Sequence, residues 1–251
     1  MGQHHTGFSF TAISSSMSNI YTIRALLCGQ WSSNVRLDGK TVIITGANTG
    51  IGKETALDLA KRGARIILAC RDMSKAEATQ QEICETTGNP NIVSKKLDLS
   101  DTKSIREFAE LINREFLSEE KEVNILINNA GIMMCPYSKT ADGFEMQFGV
   151  NHLDTGVTVY AVHPGIVRTE LKRHMNLALL ISWKIVRPFT KTVLQGAQTS
   201  IYCAVEPELE TETGGYYCDC KPSRCTSAAR DDEMAEKLWK LSCQMLKITW
   251  D

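Results

Sequence analysis

The chain has no excess of charge of either sign. Its 28 Lys and Arg stand against 29 Asp and Glu, which leaves −1 with neutral histidines. The basic surplus that would grip nucleic acid is therefore missing, as is an acidic tail, and no nucleic-acid partner is expected. Acid is absent altogether from the first 37 residues. The stretch FSFTAISSSMSNIYTIRALLCGQW within them is nevertheless too broken by Ser, Asn and Arg24 to span a bilayer. No internal repeat and no linker divides the 251 residues, so one domain is expected. The nine cysteines are odd in number and scattered, which argues for reduced thiols in a cytosol-like compartment rather than a disulfide framework. Cys218, Cys220 and Cys225 cluster, but without an obvious fourth ligand they read as core or edge-strand cysteines, and no metal is expected.

What is present is an alternation. Short β-branched runs at 41–46, 65–70, 91–99, 124–131 and 157–165 read as strands. Segments with helical spacing separate the first five runs, at 51–62, 74–87, 104–120 and 142–153, the last carrying Phe144, Phe148 and Leu153. Apolar strands divided by helices imply a doubly wound α/β domain, a parallel sheet covered on both faces, spanning 38–251. The tail adds a helical region over 170–205, a strand-like 214–220 and an amphipathic helix from Asp231 with Met234, Leu238, Leu241 and Met245 on one face. Residues 1–37 read as an extension. Gly2 with Thr6 fits an N-myristoylation pattern, which would give membrane association through the N-terminus. The acid-free, Ser-rich stretch also fits a transit peptide, and a frayed tail competes with both. The expected location is cytoplasmic or at the cytosolic face of a membrane, with mitochondria as the alternative that a transit peptide implies.

TGANTGIG (45–52) lies at a strand end and opens a helix. Gly46 permits the tight turn, Gly50 lets backbone approach a pyrophosphate, and Gly52 allows close helix–strand packing. With Asn48, Thr49 and Ile51 they form a loop whose helix N-terminus offers free N–H groups and partial positive charge to phosphate. The second strand ends in Cys70 and Arg71, where an acidic residue would favour NAD. A guanidinium suits a 2′-phosphate, so NADP(H) is the expected cofactor, although Asp72 next door weighs the other way.

TGANTGIG, LDL with Asp98, NNAG (128–131), VNHL and HPGIVRTEL are similar, in order, to the short-chain dehydrogenase/reductase family. ACRD, MMCPYSKTADGFEMQFGVNHL and VYAVHPGIVRTEL resemble its retinol dehydrogenase branch. The resemblance runs over about residues 35–251 and implies a Rossmann-like fold and NADP(H)-dependent interconversion of retinol and retinaldehyde, or of lipid aldehydes. It further implies that Asp98 and Leu99 border the adenine, and Asn129, Ala130 and Gly131 the ribose side. Pro164, Gly165, Ile166 and Thr169 would then meet the nicotinamide amide and the phosphates. The usual membrane anchor of that branch is not evident.

By the same resemblance the proton should move through a tyrosine, a lysine four residues later and a serine on the preceding strand. None has a counterpart, and Asn151 alone remains of the family's catalytic set. Pro164 follows Asn151 by thirteen positions, a span that must finish a helix, turn at Asp154–Gly156 and run a strand. Returning to a parallel neighbour takes at least about a dozen residues, so a further strand and an active-site helix do not fit. The domain reads as internally shortened after Leu153. Tyr217 and Lys221 sit four apart in a strand-like context, where they do not share a helical face. Tyr137 and Lys139 sit on a loop; His152 reads as a helix-surface or core residue, and His163 as ordering the Pro164–Gly165 turn. None replaces the acid.

Residues 157–163 are expected to take the sheet position beside 124–129. Loss of the helix that belonged there would bare apolar surface, which favours aggregation or a partner. Three functions follow: an NADP(H)-binding protein of weak or no activity; an active retinal or lipid-aldehyde reductase with a substitute acid; or a non-enzymatic subunit pairing with itself or a full-length relative. The apolar 171–189 suits a greasy, retinoid-like aldehyde or alcohol.

Overall fold

Thr-Val-Ile-Ile-Thr builds β1 (Thr41–Thr45), and all five residues are buried. A strand covered on both faces reads as a continuous apolar run rather than an alternation, and Val42–Ile44 between the two threonines is one. The structure, a computed structural model, describes residues 31–119, 122–152, 160–171 and 190–249. The elements after β1 are α1 (Gly50–Lys61), β2 (Arg65–Cys70), α2 (Met73–Thr87), β3 (Ile92–Lys96), α3 (Thr102–Glu119), β4 (Ile125–Ile127) and α4 (Met146–His152). Next come β5 (Ala161–His163), α5 (Val193–Val205), β6 (Tyr216–Cys218), β7 (Lys221–Pro222) and α6 (Asp232–Leu246).

A four-stranded sheet runs in the order β3-β2-β1-β4, and every pair in it is parallel. Because successive strand residues point to opposite faces, Val42, Ile44, Ile66 and Leu68 enter one core, with Ala56 and Leu59 of α1, Ile83 of α2 and Ala197 and Ile201 of α5. Ile43, Ile67 and Ala69 enter the other, with Ile112 and Phe116 of α3. Helices thus cover both faces, as expected of a Rossmann-like α/β domain. Small residues at Ala56, Ala60 and Ala197, all at most 2% exposed, let α1 and α5 approach closely. Asp72 caps α2, its side chain accepting from Lys75 N–H, and Gly88 ends that helix in the left-handed conformation. The 31–37 segment straps the far end of α1 and α5. Trp31 Nε1 donates to Glu206 Oε2 at 2.8 Å, the Arg62 guanidinium lies over the indole, and Leu37 N–H donates to Arg62 O at 2.8 Å.

The sequence expectation differs from the structure at the fifth strand. Within the described part of 157–165 only Ala161–His163 is a strand, and it does not lie beside β4. It pairs in parallel with β6, which pairs antiparallel with β7 in a separate three-stranded sheet. The physical reason is that β5–α5–β6 is itself a complete parallel crossover unit. The strand therefore satisfies its ladder with the partner that follows it, not with the one before. The helix expected over 142–153 is shorter, because residues 139–145 instead form a turn closed by a Lys139–Glu145 bridge. The strand expected over 214–220 resolves into a tight hairpin, β6–β7, turning at Asp219 and Cys220, both with positive φ. On α6, Met234, Leu238 and Leu241 face outward, 59%, 41% and 50% exposed. The targeting patterns before residue 31, Leu153, the start of the fifth strand and most of the apolar 171–189 segment lie outside the described residues.

Candidate functional site

The strand order places β2 on one side of β1 and β4 on the other, so the chain reverses its direction of winding between β1 and β4. In such sheets the carboxyl ends at the reversal leave a crevice, and ligands bind there. Two of the sequence-predicted segments follow these strands directly: the glycine loop leaves β1, and Asn129–Gly131 leaves β4.

Their fit is close. A Cβ on Gly46, whose φ of +61° already disfavours other residues, would come within 2.9 Å of Ala130 Cα. A Cβ on Gly52 would sit 2.3 Å from Asn129 Nδ2 and 3.0 Å from Ala47 Cα. Asn129 Nδ2 donates to Thr45 O at 2.9 Å and to Gly46 O at 3.2 Å. The buried Thr45 hydroxyl accepts from Asn129 N–H at 3.1 Å and Ala130 N–H at 3.0 Å. The two loops are therefore one rigid unit. Asn48 is held from below, its carbonyl accepting from Thr79 Oγ1 at 3.1 Å. Cys70 lies beneath the loop, and burial pushes its thiol up from the usual range while the Ala47 and Asn48 backbones hydrogen-bond it.

Helix α1 starts here without a side-chain cap: Thr49 is extended and its hydroxyl makes no capping bond. The first N–H groups of a helix need partners and carry partial positive charge, so this end is fitted to an anion. The third segment, Pro164–Thr169, reaches the same place, with Thr169 Cγ2 3.4 Å from where a Gly50 Cβ would stand. Asn151, at the end of α4, closes the other side. Its Nδ2 donates to Ile132 O at 2.9 Å and its Oδ1 accepts from Ile132 N–H at 3.0 Å.

At the end of β2 the two neighbouring charges part ways. Asp72 is engaged as the α2 cap, accepting from Lys75 N–H at 3.1 Å and pairing with Lys75 Nζ at 3.6 Å. Arg71 is exposed and its guanidinium has no hydrogen bond or ion pair among the described residues, while Lys96 Nζ donates to its carbonyl at 2.6 Å. Asp98 closes a turn, its Oδ1 accepting from Ser100 N–H at 3.0 Å, and Leu99 packs beside Leu97 in the second core. The glycine cradle, the uncapped helix and the free guanidinium together suit a phosphorylated dinucleotide.

The candidate acids are elsewhere. Tyr217 is 1% exposed and donates to Glu212 Oε2 at 2.9 Å. Burial first, then that carboxylate, pushes its hydroxyl up to about 12. Its ring meets Tyr160 edge to face and Tyr202 at a tilt, while Lys221 lies exposed on β7. Tyr137 is 78% exposed. His152 stacks on Phe148 and its Nε2 meets Ser242 Oγ at 3.1 Å, which spends it on the contact with α6. His163 does not order the Pro164–Gly165 turn as expected; its ring contacts Cys218 Sγ at 3.7 Å across the β5–β6 pair. That turn is ordered by Lys191, a residue with no motif to betray it, whose neighbours are distant in sequence. Every described cysteine is a free thiol. Among the described residues, no group of three or more His, Cys, Asp or Glu forms a metal site, and no helix is long and apolar enough to cross a membrane.

The family model for short chain dehydrogenases matches residues 40–151. Retinol dehydrogenase 12 of Homo sapiens is 44% identical, covering 89% of this chain and 91% of that protein. Retinol dehydrogenase 11 of Homo sapiens is 41% identical, with 91% and 92% covered. The first of these alignments runs over 293 positions, more than the 251 residues of this chain, so the relative carries residues that have no counterpart here. Among solved structures, an uncharacterized protein from Mycobacterium paratuberculosis superimposes with a TM-score of 0.63 at 25% identity, covering 86% of this chain and 97% of that one. A short-chain type dehydrogenase/reductase from Mycobacterium marinum, at 19% identity, gives 0.55 over 72% and 94%, a likeness of fold.

Proposed function

The chain belongs to the short-chain dehydrogenase/reductase family, in its retinol dehydrogenase branch, and on that footing we propose that it binds NADP(H) at the β1–β4 crevice but turns over at no more than background rate. The observation that carries the binding half is the convergence of Gly46–Gly52, Asn129–Gly131 and Pro164–Thr169 on the uncapped start of α1. The glycine loop and its helix N–H groups receive the pyrophosphate. Asp98 and Leu99 border the adenine, Asn129, Ala130 and Gly131 the ribose, and Pro164, Gly165, Ile166 and Thr169 the nicotinamide side. NADP(H) is preferred over NAD(H) because Arg71 is free to fork onto a 2′-phosphate while the Asp72 carboxylate is occupied as a helix cap.

Bound NADPH supplies a hydride; the protein must supply an acid for the developing alkoxide. Asn151 keeps one N–H and one lone pair beyond its two bonds to Ile132 and can orient a water, but it does not titrate. The twelve residues between Asn151 and Pro164 contain no lysine, and so no Tyr-x-x-x-Lys pair of the kind the family uses. Two facts support an internal loss: the family match stops at Asn151, and the alignment to the human relative is longer than this chain. Relatives named retinol dehydrogenases suggest an apolar aldehyde or alcohol as the substrate class if any turnover remains.

A paired assay tests this. NADPH titrated into the protein should bind saturably, and Arg71→Glu should weaken that binding. NADPH consumption with all-trans-retinaldehyde or a short aldehyde should match the protein-free rate. Absence of saturable binding would remove the first half of the proposal. Turnover above the protein-free rate would remove the second, and its loss in Tyr137→Phe, Tyr217→Phe, His152→Ala or His163→Ala would name the substitute acid.

A further inference from the structure

Lys191 lies beside the Pro164–Thr169 loop and touches it in three ways. Its N–H donates to Ile166 O at 2.8 Å, and its carbonyl accepts from Arg168 N–H at 3.1 Å, a parallel bridge centred on Val167. Its stem lies on Gly165, where an added Cβ would meet Lys191 Cε at 2.9 Å and Nζ at 3.1 Å. The side chain is only 12% exposed, and its ammonium is paired with the Asp219 carboxylate, itself 28% exposed.

Asp219 occupies the tip of the β6–β7 hairpin, where it and Cys220 have φ of +53° and +56°. These angles are uncommon for residues other than glycine, and here they turn the carboxylate back toward Lys191. Cys218 S–H donates to Asp219 Oδ2 at 3.6 Å, and Cys220 N–H donates to Thr199 Oγ1 of α5 at 3.4 Å, which fixes the hairpin. Strand β6 is in turn the ladder partner of β5, and β5 leads straight into Pro164. The path is a closed circuit: β5, the loop, Lys191, Asp219, β6 and β5 again. The loop has little regular structure of its own, so its position depends on the backbone bonds to Lys191, which this ion pair holds in place, and on Val167 packing against Gly196.

From this circuit we infer that Lys191 is a positioning residue: paired with Asp219, it sets the loop that receives the nicotinamide half of the dinucleotide. The inference rests on the nucleotide-binding reading above. It separates the two halves of the ligand, because the adenine half meets Arg71 and the glycine loop, which Lys191 does not touch.

Calorimetric titration of the full chain with NADPH and with adenosine 2′,5′-bisphosphate, which lacks the nicotinamide half, tests it. Lys191→Met and Asp219→Asn should each weaken NADPH at least about tenfold and leave the bisphosphate within about twofold. They should also lower the nicotinamide emission of whatever NADPH is bound, since a looser loop leaves the ring wetter and more mobile. Lys191→Arg, which keeps the charge, should recover part of the NADPH affinity. Either Met or Asn variant binding NADPH as the unsubstituted protein does would overturn the assignment, as would equal loss of both ligands. An unsubstituted protein that binds neither ligand would instead overturn the nucleotide reading, and this inference with it.

Discussion

Asn151 clasps the backbone of Ile132 with both ends of its amide, donating at 2.9 Å and accepting at 3.0 Å. That clasp ties the last turn of α4 to the segment leaving β4, and a side chain lacking either a donor or an acceptor cannot reproduce it. Asn151→Ala should lower the unfolding free energy by about 1 kcal/mol, the low end for two such bonds at an exposed position. Asn151→Asp should do no better, because a carboxylate cannot donate to Ile132 O. Urea midpoints of the three proteins decide the matter; an alanine variant as stable as the parent would mean the clasp contributes nothing.

The split between Arg71 and Asp72 predicts a cofactor-specific effect. Arg71→Ala removes a fork that only a 2′-phosphate uses, so NADPH affinity should fall tenfold or more, in line with about 1.5–3 kcal/mol for charge-assisted bonds. NADH affinity should change by less than about twofold. Both titrations need one fixed ionic strength, since screening alone weakens such contacts. Equal losses for the two cofactors would place Arg71 away from the 2′ position.

Gly52→Ala sets two effects against each other. Alanine in a helix interior is favoured over glycine by about 1 kcal/mol. Here its Cβ would meet Asn129 Nδ2 at 2.3 Å and the Ala47 backbone at 3.0 Å. The asparagine can yield only by giving up its bonds to Thr45 O and Gly46 O, and the Ala47 Cα cannot yield without moving the loop. Overpacking of this kind costs about 1–3 kcal/mol, so steric conflict wins, and the variant should be less stable and lose saturable NADPH binding. A thermal midpoint above that of the parent would reverse this ranking.

Much of this was readable from the chain alone, for local reasons. The β1–α1 turn shows itself because glycines, a β-branched run and a helical spacing coincide within about twenty residues. Arg71 could be picked out by its distance from those glycines. Lys191 could not, because its role is set by contacts to Gly165 and Asp219, each more than twenty positions away, and no pattern marks such pairs. The same holds for β5, whose sequence says strand but whose partner is decided by a helix and a hairpin further along. The engagement of Asp72 as a cap needed coordinates too, since its carboxylate had two plausible uses and only geometry separates them.

Tyr217 makes a prediction at high pH. Burial and Glu212 raise its hydroxyl from the usual 10 to about 12. Between those values the unfolded chain gives up this proton while the folded one keeps it. Stability that is complete below pH 10 should therefore decline as pH rises toward 12, by at most about 1.4 kcal/mol per unit from this group. Tyr217→Phe should flatten that part of the profile and leave any NADPH binding unchanged. Parallel profiles for the two proteins above pH 10 would show that the phenol keeps an ordinary affinity for its proton.

The described strands form two sheets, of four and three strands, with no shared ladder. Cooperativity across a domain travels well through a continuous ladder and less well through helix packing alone. Here the β5–β7 hydrogen bonds are coupled to the central strands chiefly by α5 lying on α1. Amide protons at 161–163 and 216–218 should accordingly trade with deuterium through a partial opening that leaves 42–45 and 66–69 protected. Melting would then begin at the carboxyl-terminal third, long before the glycine-bearing half lets go.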